Sequence, residues 1–158
     1  MNYTAKNIYD SANKFKVASD ALSEKLSLTN DVETYIAPFI VNAAFSIELY
    51  LKCLYMIENN KPSRYTHNFF DIYKHLSNDS KGFIEAVFNM LLEQDSLFKE
   101  LQKRIPSTDT EFESILREAG NAFARWRYSY EGKLTSFPSS NSIITALILR
   151  IKMLEPKW

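Results

Sequence analysis

Apolar residues recur along this chain at three- and four-residue steps, and no stretch sustains an alternation of period two, so the pattern predicts helices throughout. A first helix is expected from about Thr4 to Leu28. In it Ile8, Phe15 and Leu22 recur at sevens, and Ala5, Ala12, Ser19 and Leu26 form the adjoining seam of a bundle helix. Leu28-Thr29-Asn30-Asp31 breaks the pattern, and Asn30 with Glu33 fits an N-cap and its third-position acid. The second helix then runs to about Glu58, its start left open by Pro38, which suits only the first turn of a helix. Phe39, Ile40, Ala43, Ala44, Ile47, Leu51, Leu54 and Tyr55 make this helix apolar over much of its circumference, which predicts a place at the centre of the bundle.

Asn59-Asn60-Lys61-Pro62-Ser63 is turn chemistry, and Thr66 is placed to cap a short third helix through Leu76. Lys81 to Arg104 reads as a fourth helical region, bent near Gln94-Asp95-Ser96 and ended by Pro106. Its apolar set is Phe83, Val87, Leu91, Leu97, Phe98 and Leu101. Thr110-x-x-Glu113 reads as a capping box opening a fifth helix, with Phe112, Leu116, Ala119, Phe123, Trp126 and Tyr130 facing inward and Gly132 as its C′ stop. Pro138-Ser139-Ser140 begins a last helix through Leu154, closed by Pro156. The expectation is one all-α domain over residues 1–158, a bundle of about five to six helices with a four-helix up-down core.

Composition supports a globular domain: 46% of the residues are hydrophobic and 24% charged, unlike a disordered tail. Three glycines and five prolines favour long helices with short connections. Nineteen basic residues balance nineteen acidic ones, so the chain lacks the basic excess of a sequence-independent nucleic-acid binder. The apolar run Ile143 to Leu149 stops at Arg150, too short for a bilayer, and Asn2, Lys6 and Asp10 interrupt any signal-peptide core. The single cysteine, Cys53, forms no internal disulfide. These features together predict a cytoplasmic protein without membrane partners.

Three constellations bear on chemistry. Glu48 and Lys52 stand four apart on the most apolar helix in the favourable order for an ion pair. A carboxylate there demands a cation, either Lys52 or an arginine from another helix. His67, Asp71 and His75 stand at four-residue steps, but a rise of about 1.5 Å per residue separates the outer pair by about 12 Å, so no metal site is expected. His67 is better read as an early helix residue bonded to backbone or to a buried acid. The third cluster runs from Asn121 to Glu131. On a continuous helix Asn121, Arg125 and Tyr128 share a face, Arg127 and Glu131 share another, and Trp126 and Tyr130 turn inward with Phe123. Its arginines suit a buried acid such as Glu48, or a phosphate. Ser11-x-x-Lys14 lacks the companion motifs of a serine–lysine enzyme, Gly82, Gly120 and Gly132 build no phosphate loop, and Cys53 reads as a small core residue. No cofactor is called for.

Three segments in order, Asn42-Ala43-Ala44-Phe45-Ser46-Ile47-Glu48-Leu49-Tyr50-Leu51-Lys52, then Thr66-His67-Asn68-Phe69-Phe70-Asp71-Ile72-Tyr73, then Arg125-Trp126-Arg127-Tyr128-Ser129-Tyr130-Glu131, resemble the HEPN superfamily of small helical bundles. The resemblance implies a HEPN-like fold, a homodimer and a role in a prokaryotic defence, stress or toxin–antitoxin system. Many such proteins are metal-independent ribonucleases whose motif is an arginine, four to six residues, then a histidine; the arginine stabilises the scissile phosphate and the histidine serves acid–base chemistry. Here Arg64 precedes His67 by too little and His75 by too much, and every other arginine follows both. The motif is absent. The resemblance therefore implies a dimeric module that binds RNA, nucleotide or a partner protein at the Arg125–Glu131 helix, and Glu48, Lys52, His67, Asn121, Arg127 and Tyr128 are the candidate ligand-binding or polar network. The alternative is a divergent endoribonuclease using Arg125, Tyr130 and Glu131. A nucleotidyltransferase-fold antitoxin is a further partner that the family suggests.

Overall fold

The computed structural model describes residues 3–63, 66–104, 110–131 and 139–158, with only the backbone of Leu97, Leu101 and Glu131. Its regular elements are all helical: α1 (Ala5–Thr29), α2 (Val32–Asn59), α3 (Phe69–Tyr73), α4 (Asn78–Gln94), α5 (Ser96–Arg104), α6 (Phe112–Trp126) and α7 (Ser140–Leu154), with one 3-10 turn at Ser129–Glu131. The expected fourth region is two helices rather than one bent helix. Asp95 leaves helical dihedrals (ψ 106°) and its side chain accepts from the Phe98 amide, so the break doubles as a cap for α5. Pro106, Gly132 and Pro138, given stop or start roles above, lie outside the described residues, as does Arg64.

α1 and α2 form an antiparallel hairpin. The Cys53 thiol meets the Ala5 carbonyl, the Tyr50 hydroxyl donates to Asn13, and the Ser19 hydroxyl meets the Phe39 carbonyl, so partners run in opposite order. Tyr9, Ala12 and Ser19 are the buried residues of α1. The small-residue seam thus faces α2 and lets the backbones approach, while Ile8, Phe15 and Leu22 are only half-buried. At the tip the caps differ from expectation. Asn30 closes α1 in the left-handed region (φ 55°), and Asp31 opens α2 by accepting from the Thr34 amide. Pro38 sits inside α2, beyond the first turn.

α2 is the hub, packed against α1, α3, α6 and α7, while α4 packs on α7. Ten of its residues are buried, from Ile40 to Leu54. By length and composition α2 matches a membrane-crossing helix, and here that apolarity faces its neighbours. The α4 stripe is Ile84, Phe88 and Leu92, one residue on from the predicted Phe83, Val87 and Leu91, which are half-buried. Phe112, Leu116, Ala119 and Phe123 of α6 are buried as their spacing predicts. The capping box at Thr110 does not form, since Glu111 is the N-cap and makes no side-chain cap bond.

Candidate functional site around His67

Glu48 lies mid-way along α2 and is 1% exposed. Lys52, one turn on, reaches back to Oε1 at 2.7 Å while keeping 18% of its side chain in water. The second partner is a histidine rather than an arginine. His67 Nδ1 meets both carboxylate oxygens, at 3.0 and 3.1 Å. His67 precedes α3 rather than lying within it: the helix is capped by Asn68, whose side chain accepts from the Asp71 amide, and Thr66 Oγ1 accepts from the Asn68 amide. These two turns hold the loop that turns the imidazole towards α2. Since a carboxylate only accepts, Nδ1 carries the proton, which makes Nε2 the acceptor of the neutral ring. The side chain is 51% exposed. A buried acid thus fixes the tautomer and tilt of a histidine that reaches the surface.

Two grooves meet at that ring. One, of about 330 Å³, is lined by Phe15, Val41, Asn42, Phe45, Phe123 and Arg127. Its walls are aromatic: Phe15 and Phe45 meet edge to face at 4.5 Å, and Phe45 and Phe123 lie parallel within 2° at 5.7 Å. The Arg127 guanidinium stands 4.4 Å from the Phe123 ring. The other groove, of about 360 Å³, is polar and is lined by Asn68, Arg117, Gly120 and Asn121. Arg117 stacks 3.2 Å from the Phe70 ring, a cation–π contact that fixes its guanidinium.

Of the residues singled out from the sequence, Glu48, Lys52, His67, Asn121 and Arg127 therefore converge. The rest do not join them. α6 ends at Trp126 with Arg127 in its C-cap, so Tyr128 is not on the helical face of Asn121 and Arg125. Tyr130, expected inward, is 81% exposed and packs edge to face on Tyr128 at 6.2 Å. Trp126 is half-buried, Arg125 is exposed and lines neither groove, and the Glu131 side chain lies outside the described residues. Sequence reading missed Asn42, Phe15 and Arg117. Arg117 carried a signal, standing four residues before Asn121 on the same face.

The His67, Asp71 and His75 series is dispersed. His67 goes to Glu48, the exposed Asp71 pairs with Lys74, and His75 Nδ1 meets the Asp71 carbonyl at 2.7 Å. The hydrogen bond from Lys74 holds the Asp71 carboxyl below its usual range. Among the described residues no group of three or more histidine, cysteine or acidic side chains is arranged for a metal ion. No protein family, curated protein or solved structure matches the chain.

Proposed function

We propose that this protein is a HEPN-like module of a prokaryotic defence, stress or toxin–antitoxin system, which dimerises and binds RNA or nucleotide at the His67 grooves. The observation that carries the reading is a surface histidine held by the buried Glu48 and lining the same groove as the Arg127 guanidinium. An imidazole and a guanidinium lining one groove suit a phosphate, and the aromatic walls between them suit a base. Zero net charge argues for a short, local contact rather than a long electrostatic track. The test is fluorescence anisotropy with a labelled single-stranded RNA. Arg127→Ala should weaken binding about tenfold, which is about 1.4 kcal/mol, and Arg125→Ala should change it little. Equal affinity of wild type and Arg127→Ala would place the ligand elsewhere, and no binding by the wild type would end the reading.

The endoribonuclease reading survives in altered form, with its acid–base group at His67 instead of Tyr130 and Glu131. Tyr130 is exposed and lines neither groove, whereas the Glu48–His67 pair is arranged as a positioned base. In this scheme Nε2 takes the proton of a ribose 2′-OH and the 2′-oxygen attacks phosphorus. The 5′-oxygen leaves with a proton from water, giving a cyclic phosphate and a 5′-OH, and Glu48 stabilises the imidazolium. Incubation with mixed RNA in EDTA tests it: cleavage by the wild type that His67→Ala abolishes supports the scheme. No cleavage by the wild type leaves a binding module alone.

A further inference from the structure

We infer that the aromatic groove between α1, α2 and α6 is a pocket for a single nucleobase, with Asn42 as the group that reads it; this rests on the function proposed above. The volume of about 330 Å³ is at the low end of small-molecule sites, which run from roughly 300 to 1,000 Å³, and suits one base rather than two. Phe15, Phe45 and Phe123 supply flat apolar walls, and aromatic faces stack any base. Asn42 is the polar group on the α2 wall. Its Nδ2 donates to the Pro38 carbonyl at 2.7 Å, and that bond fixes the plane of the amide. Oδ1 is then an acceptor held in one place, suited to the exocyclic amino group of adenine or cytosine. Arg127 and the half-exposed His67 line the same groove, and a nucleotide seated by its base would present its phosphate to them. An acyl chain or an apolar side chain would fill the walls but offer nothing to the Asn42 amide oxygen or the Arg127 guanidinium. The chemistry recognised is a base joined to a phosphate, from a free nucleotide or from an RNA strand.

Titration calorimetry on the full chain tests this with the four nucleoside 5′-monophosphates, ribose 5-phosphate and a tetra-adenylate RNA. The nucleotides should bind at least tenfold more tightly than ribose 5-phosphate, with AMP and CMP ahead of UMP. Val41→Trp, which fills the groove, should bring the nucleotides down to the level of ribose 5-phosphate and leave that ligand unaffected. Arg127→Ala should weaken all ligands by a similar factor. Nucleotides no tighter than ribose 5-phosphate, or a Val41→Trp protein that binds them as before, would overturn the inference. Should Val41→Trp fail to fold by circular dichroism, Asn42→Ala decides: a flattened preference among bases supports the pocket and an unchanged one overturns it. A tetra-adenylate tighter than AMP assigns the source to RNA, and the reverse assigns it to free nucleotide. If the pocket variants have no effect while RNA still binds through Arg127, only this inference falls; if the wild type binds none of the ligands, the proposed function falls with it.

Discussion

At the scale of single residues, the buried charge at Glu48 decides most. Glu48→Ala removes the acceptor of both Lys52 and His67 and opens a gap in the most apolar helix. Breaking a fully buried pair costs about 3–5 kcal/mol, but Lys52 and His67 both retain contact with water, so the expected loss is about 2 kcal/mol, against about 1 for Glu48→Gln. Urea unfolding of the two variants checks the order. Cys53 makes a second prediction. Burial pushes its thiol up to about 12, so the native chain keeps it protonated far above the ordinary range. A raised acid contributes stability that is fully present below the unfolded value near 9 and is lost as pH rises from there towards about 12. At pH 8 a disulfide reagent should therefore label Cys53 only as fast as the protein opens, and at once in denaturant. The Glu48–Lys52 pair was legible because it is local, four residues on one helix. Its contact with His67 was not, because it spans nineteen residues and depends on how the loop before α3 folds.

Among the elements, the start of α4 is tied to two other helices. Glu58, near the end of α2, accepts from the Ser77 amide and hydroxyl at 2.7 Å each and from the Ser80 hydroxyl. Arg150 of α7 donates to that same Ser80 oxygen at 2.7 Å, completing a relay from α7 through α4 to α2. Ser77 also caps α4 by accepting from the Ser80 amide at 3.1 Å. Ser77→Ala should cost about 1 kcal/mol and Glu58→Ala about 1–2. The double variant should cost less than the sum, because Ser77 and Glu58 share a bond; chemical denaturation of all three checks this. The helices themselves were legible from apolar spacing, since long amphipathic segments leave a clear period. Their ends and phases were not. Asn30 and Asp31 are both good caps, and only the chain's reversal decides which helix each one serves. On α4 two adjacent apolar stripes exist, and only packing on α7 and α6 selects Ile84, Phe88 and Leu92. The inward reading of Tyr130 failed because it assumed that α6 continued past Trp126.

For the whole molecule, the all-helical class followed from the absence of period-two patterning, while the arrangement around α2 needed the structure. The balance of nineteen basic and nineteen acidic residues leaves no long-range repulsion between copies, which is compatible with the proposed homodimer. Light scattering after size exclusion should give twice the mass of the 18.4 kDa chain, and the value should persist in high salt. A single-chain mass across micromolar concentrations would remove the dimer from the proposal.

Pro38 divides α2 in a way that its continuous outline hides. Lacking an amide proton, it leaves the Thr34 carbonyl without its helical donor, and the residues before it, Val32 to Ala37, are exposed or half-buried. Beyond it lie all ten of the buried residues. One rod in outline should therefore behave as two cooperative units: a short vestibule expected to open by itself, and a shaft expected to open only when the bundle does. Deuterium uptake should divide at that imino acid. Amides of Ile36 and Ala37 should exchange in the earliest minutes, and those from Ala43 to Leu54 only at the rate of global unfolding. The wall carrying Val41 and Asn42 stands just past that divide, on the rigid side.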